Sequence, residues 1–189
     1  MVRWQPDAHG RLQQAAMELY VERGFDQVTV ADIAERAGLT ERTFFRYFAD
    51  KREVLFAGSS ALQDRLVASV AAAPADLAPL DVLALAFDDV ATGFFGEGLQ
   101  HARARQSVVD SHSGLQEREL IKMAAIASTL ADALRRRRVQ EPAASLAAES
   151  AVAAFRIAFA RWVSGDAGER LAPVMSESFA ALRTIAGGR

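Results

Sequence analysis

Apolar positions in this chain recur every three or four residues, the spacing of one face of an α-helix. Leu12, Ala15, Ala16, Leu19 and Tyr20 form one such stripe and predict a helix over about 7–23. Gly24 follows where a left-handed cap is needed, and Phe25 is placed to pack back on Tyr20. Thr29 stands as the N-cap of a second helix ending near Ala37, with Asp32 three residues on as a variant capping box. Gly38 makes the turn, and Thr40 caps a third helix over roughly 41–47. Asp50, with Glu53 at the box position, predicts a fourth helix that runs on through Leu55, Leu62 and Leu66. Pro74 and Pro79 break the pattern and separate these four helices from the rest. Helical stretches then follow near 80–95, 99–110, 115–138, 143–164 and 169–186. Strand alternation and internal repeats are missing from the sequence, so the expected fold is all-α, with about nine helices.

The second and third helices, with glycine between them, have the form of a helix-turn-helix. That motif crosses one helix over the DNA backbone and presents the early residues of the next to base edges. It needs a small residue at the crossing, supplied by Ala34, and a turn residue tolerant of positive φ, supplied by Gly38. Ile33, Ala37, Leu39, Phe44 and Phe48 are spaced as anchors to the first helix. Thr40, Glu41, Arg42, Thr43, Arg46 and Tyr47 are left on the exposed face, and all can form hydrogen bonds. An arginine there can bridge guanine O6 and N7 or pair with phosphate. Lys51 adds a positive charge beside an expected helix N-terminus, where free N–H groups attract phosphate.

The run A-x-x-L-Y-x-E-R-G-F-D-x-V-T-V-A-D-I-A-E-R-A-G-L-T-E-R-T-F-F-R-Y-F-A-D-K lies within residues 11–56. These residues resemble the DNA-binding domain of the TetR family of bacterial transcriptional regulators. The resemblance implies a homodimer with a DNA-binding head over 1–52, and a ligand-binding and dimerisation domain over 53–189. It implies a repressor that binds a palindromic operator and leaves it when a small hydrophobic molecule binds. Matched position by position, Thr29, Tyr47 and Lys51 correspond to phosphate contacts, and Thr40, Arg42 and Thr43 to the start of the recognition helix. Phe45 departs from the pattern, standing where many members carry a tyrosine able to donate to phosphate.

In the C-terminal half, 143–164 carries two apolar faces. One holds Leu146, Ser150, Ala153, Ile157, Ala160 and Ser164; the other holds Val152, Phe155, Phe159 and Trp162. A helix apolar on two sides must bury two sides, so one face is expected in the core and the small-residue face against a second copy. Leu171, Met175, Ser178, Leu182 and Ile185 repeat at similar spacing on the last helix. The expected dimer surface therefore includes Ala153, Ile157, Ala160, Met175 and Leu182. Candidate pocket residues are Phe87, Phe94, Phe95, Met123, Ile126 and Leu130, with glycines 93, 96 and 98 ending a helix beside them. His101, Arg103 and Arg105 could hold an anionic ligand group or lie at the surface. The stretch AAFRIAFARWVSGD resembles regulators grouped with the mycofactocin regulator, which implies an acyl-CoA-like effector.

Composition narrows the function classes. The 189 residues include no cysteine, which excludes disulfide and thiolate chemistry. The histidines at 9, 101 and 112 lack ligand spacing, so neither a metal nor a cofactor is expected. Nucleophile-elbow, Walker and dinucleotide-binding motifs are missing, and the chain is not expected to be an enzyme. No run of about 18 apolar residues and no apolar signal core occur, so a cytoplasmic protein with no membrane partner is expected. Net charge is −2, but residues 36–52 are locally positive through Arg36, Arg42, Arg46, Lys51 and Arg52. Arg135 to Arg138 are expected to complement the dipole at the end of their own helix. The leading expectation is a DNA-binding repressor; a ligand-independent or activating regulator, and an all-α enzyme with a vestigial head, are the alternatives.

Overall fold

The structure, a computed structural model, describes residues 7–96, 98–166 and 168–187. The described residues form nine α-helices and no strand. They are α1 (Ala8–Arg23), α2 (Val30–Arg36), α3 (Glu41–Tyr47), α4 (Ser59–Ala72), α5 (Pro79–Val90), α6 (Leu99–Asp110), α7 (Ser113–Arg136), α8 (Ala143–Ser164) and α9 (Leu171–Ala186). A 3-10 turn occupies Glu53–Phe56, and a π turn occupies Ala91–Phe95. Two compact units result. One holds residues up to Gly58 with Ala104–Glu119; the other holds Ser59–Arg103 and the chain from Leu120 onward.

In the first unit the N-caps form as their sequences predict. The Thr29 hydroxyl accepts from the Asp32 amide at 3.1 Å while the Asp32 carboxylate accepts from the Thr29 amide at 2.8 Å. Thr40 accepts from the Thr43 amide at 3.2 Å. Each bond satisfies an amide that has no partner within its own helix. Gly38 has φ 64° and turns the chain between α2 and α3. Gly24 also has positive φ, 81°, but with ψ 152° it lies outside the left-handed helical region expected of it. The core joins Leu12, Leu19, Tyr20, Ile33 and Phe44 to Val108, Val109 and Leu115 at the corner of α6 and α7. Asp50 caps only the tight turn, accepting from the amides of Arg52 and Glu53. The expected continuous fourth helix is therefore a 3-10 turn followed, after Gly58, by α4. The apolar run from Val54 to Phe56 is buried as a block, which a helical stripe cannot achieve.

In the second unit, Leu62, Leu66 and Val70 of α4 meet α5, and α8 packs on both α5 and α9. Pro79 opens α5, where its missing amide costs nothing. Helix α8 is, by length and composition only, apolar enough to cross a membrane, with a mean hydropathy of 1.4 over an 18-residue window, although Glu149, Arg156 and Arg161 interrupt its apolar run. Its apolarity has a local cause: Ala148, Ala151, Val152, Phe155, Ala158 and Trp162 are buried in the core. Arg156 and Arg161 stand on its exposed side.

Candidate nucleic-acid interface

Helix α3 buries one side and leaves the other open. Phe44 and Phe48 lie in the core of the first unit, as expected, while Thr40, Glu41, Arg42, Phe45, Arg46 and Tyr47 are exposed and Thr43 is half-buried. The Thr40 and Thr43 hydroxyls are 3.0 Å apart. Arg46 donates to the Tyr47 hydroxyl at 3.2 Å and lies over its ring. Tyr47 is held from behind by His9, whose ring also stacks on Phe48. Thr29 is exposed at the start of α2, its hydroxyl turned to Asp32. That bond, with the one from the Thr29 amide, holds the Asp32 carboxyl below the usual range.

The local basic patch is narrower than the residue count implies. Arg36 is bound to Glu22 at 2.8 Å and to Glu18 at 3.4 Å. Arg52 pairs with Asp50 at 2.9 Å. Lys51, expected beside phosphate, turns its ammonium inward and donates to the carbonyls of Phe25 at 2.9 Å and Val28 at 2.8 Å, over the Phe25 ring. The carbonyls between α1 and α2 are the nearest negative partners, and they draw the charge off the surface. Arg42 and Arg46 remain as the exposed cations of this segment without a carboxylate partner among the described residues.

Two supports were not foreseen. The Arg11 guanidinium donates to the carbonyls of Ala37 and Gly38 and so caps the end of α2 at the turn. The Tyr20 hydroxyl donates to the Lys51 carbonyl at 2.6 Å, and burial, then Asp50, pushes its pKa well above the usual tyrosine value. Both partners are distant in sequence, so the only signal in the chain was a polar tip on an apolar stripe.

The matching comparison is with the family described as bacterial regulatory proteins, tetR family, over residues 12–57. Over residues 12–57 this chain is similar to the TetR family. The HTH-type transcriptional regulator TcmR of Streptomyces glaucescens is 38% identical over 77 residues, 41% of this chain and 34% of that protein. The match thus spans about a third of TcmR's length. Mb2274c of Mycobacterium bovis, an uncharacterized HTH-type regulator, is 29% identical over 129 residues, 66% of this chain and 67% of that one. The fold extends over both units: Bacillus subtilis FadR, a transcriptional regulator solved with stearoyl-CoA, aligns at a TM-score of 0.64 and 18% identity, covering 92% of this chain and 97% of that chain.

In the C-terminal half of the chain, the candidate pocket residues divide. Phe87, Ile126 and Leu130 are buried in the core of the second unit, Phe95 and Met123 are half-buried against it, and Phe94 is exposed. Phe87 stacks on Phe155 at 5.3 Å, and Phe95 reaches Phe155, Phe159 and Trp162 within 6.0 Å. The aromatic cluster thus comes partly from α8, whose Phe155 and Trp162 lie in the core, as expected, with Phe159 packed against it. His101 is exposed on α6, away from these rings in burial, because its neighbours Leu99 and Ala102 take the inward positions. Arg103 does not face a ligand; it donates to the carbonyls of Val163, at 2.8 Å, and Gly165 and caps α8. Arg105 donates to the Leu55 carbonyl and pairs with Glu119 at 2.8 Å. Arg137 does the same for α4, donating to the carbonyls of Val70, Ala73 and Pro74 rather than serving its own helix.

Of the expected dimer residues, Ala153, Ile157 and Ala160 are exposed along α8. Met175 is not: only 1% of it is exposed, and it lies in the core with Leu171 and Ser178, while Leu182 is half-buried against that core. From Leu171 to Leu182 the stripe found on α9 is its core stripe, because α5 and α8 both cover that side, while Ile185 at its end is exposed. Its open side carries Ser176, Glu177, Ala180, Ala181 and Thr184 instead. Arg161 of α8 pairs with Glu177 of α9 at 3.0 Å, so the two open sides adjoin.

Proposed function

We propose that this protein is a cytoplasmic TetR-type repressor that binds a palindromic operator as a homodimer and is released by an acyl-CoA-like effector. The observation that carries the DNA-binding part is the open face of α3, where Arg42 and Arg46 stand without carboxylate partners among the described residues while the other cations of the segment are held. Arg42, with Thr40 and Thr43, is positioned to meet base edges; Arg46, Tyr47 and Thr29 are the proposed phosphate contacts. Lys51 acts through the carbonyls it holds.

Homodimerisation is supported by the adjoining open sides of α8 and α9, rich in small and apolar residues around Ile157. Two copies related by a twofold axis carry two α3 helices, which suit half-sites about one helical turn apart. The proposed effector site is the aromatic region of Phe87, Phe95, Phe155, Phe159 and Trp162, with Met123, Ile126, Leu130 and Phe94 as further candidates. Support comes from the π turn beside Phe94 and Phe95, a segment type often found at functional sites, and from the acyl-CoA bound to FadR. Coupling has a physical route in the first unit. Val108, Val109 and Leu115 are part of the head's core, so an effector that displaced the corner of α6 and α7 would disturb the support of α2 and α3. Release follows only if the effector prefers the displaced state.

The test is fluorescence anisotropy of a selected operator duplex titrated with stearoyl-CoA, with free coenzyme A as control. Dissociation by the acyl thioester alone supports the reading. Retention of DNA at saturating, demonstrably bound ligand contradicts the effector class.

A further inference from the structure

We propose that Phe45 reads the C5-methyl group of a thymine in the operator's major groove. The inference rests on the DNA-binding reading above and names a contact that reading leaves out. Phe44 and Phe45 are consecutive, but a helix turns about 100° per residue, and the two rings separate completely in burial. Phe44 is fully buried and Phe45 is 56% exposed. The Phe45 ring meets Phe44 edge to face, with centroids 5.5 Å apart and planes at 83°. That contact orients the phenyl group and leaves its far side open. Arg42 lies one turn before it and Arg46 immediately after it, so α3 presents a phenyl group flanked by two exposed cations.

A phenyl ring has no donor for phosphate and no acceptor for an amino group. Among the groups that base pairs display in the major groove, the thymine methyl is the apolar one, and apolar side chains contact it. An aromatic ring held beside guanine- or phosphate-binding arginines therefore discriminates at one base step by burial. Thymine is favoured there because its methyl covers the ring, and a base lacking the methyl leaves both surfaces wet.

The experiment replaces each thymine of the selected operator in turn by deoxyuridine, which removes only the methyl group. Affinities for full-length protein are compared at constant salt with those of the Phe45→Ala variant. One symmetric position should lose about fourfold per half-site with the wild-type protein, the scale of burying a single methyl group. Phe45→Ala should bind the thymine and uracil duplexes equally while retaining helical content by circular dichroism. Uniform tolerance of uracil by a protein that binds its operator normally overturns this inference alone, as does a uracil penalty that persists in Phe45→Ala. Failure to bind any selected duplex overturns the DNA-binding reading itself.

Discussion

At the scale of single residues, Lys51, Arg103, Arg105 and Arg137 hold backbone carbonyls instead of taking the roles expected of them. Thr29 and Thr40 were readable because an N-cap and its amide lie within three residues of each other. Lys51 and Arg11 were not, since their acceptors stand 23–27 residues away in sequence. Lys51→Ala leaves the carbonyls of Phe25 and Val28 without their charged donor, which should cost about 1–3 kcal/mol in urea unfolding. The salt dependence of DNA binding should keep its slope in that variant, whereas a slope smaller by about one would assign Lys51 to phosphate. Arg42→Ala should relax base preference at one position by about 1–3 kcal/mol, and a selected consensus unchanged from wild type would remove Arg42 from base readout.

At the scale of helices, periodicity located the elements well and their partners less well. A stripe at three-four spacing says that a side is buried, not what buries it, which is why Met175 was assigned to a partner subunit and is found in the chain's own core. The two roles separate experimentally. Ile157→Glu should dissociate the proposed dimer in sedimentation velocity without unfolding the chain, since Ile157 is 59% exposed. Met175→Ala should leave association intact and cost about 2–5 kcal/mol of stability, the range for truncating a buried methionine. The join of α4 to α5 carries a pH signature. Asp89 is held down to about 2 by the Arg65 guanidinium and then the Ser69 hydroxyl. A carboxyl with a folded pKa below its unfolded value of about 3.9 stabilises above that value and loses the contribution as pH falls toward 2. The advantage of wild type over Asp89→Asn should therefore shrink between about pH 4 and pH 2 in thermal melts. It should be small at neutral pH, about 0–1 kcal/mol, because both partners are largely solvated.

At the scale of the whole molecule, the fold class followed from periodicity and the likeness to the TetR family from one continuous run of head residues. The grouping of Ala104–Glu119 with the head did not, because nothing in a helical stripe tells which of two cores receives Val108, Val109 and Leu115. That grouping gives an effector signal its proposed route, and it leaves operator binding by paired α3 helices as the claim on which the rest depends. Selection of purified full-length protein against a random duplex library tests it most directly. The account predicts enrichment of an inverted repeat with half-sites about one helical turn apart, lost when both Arg42 and Arg46 are replaced by alanine. Absence of any enriched sequence, or an enriched site that the doubly substituted protein binds as well as wild type, would contradict it.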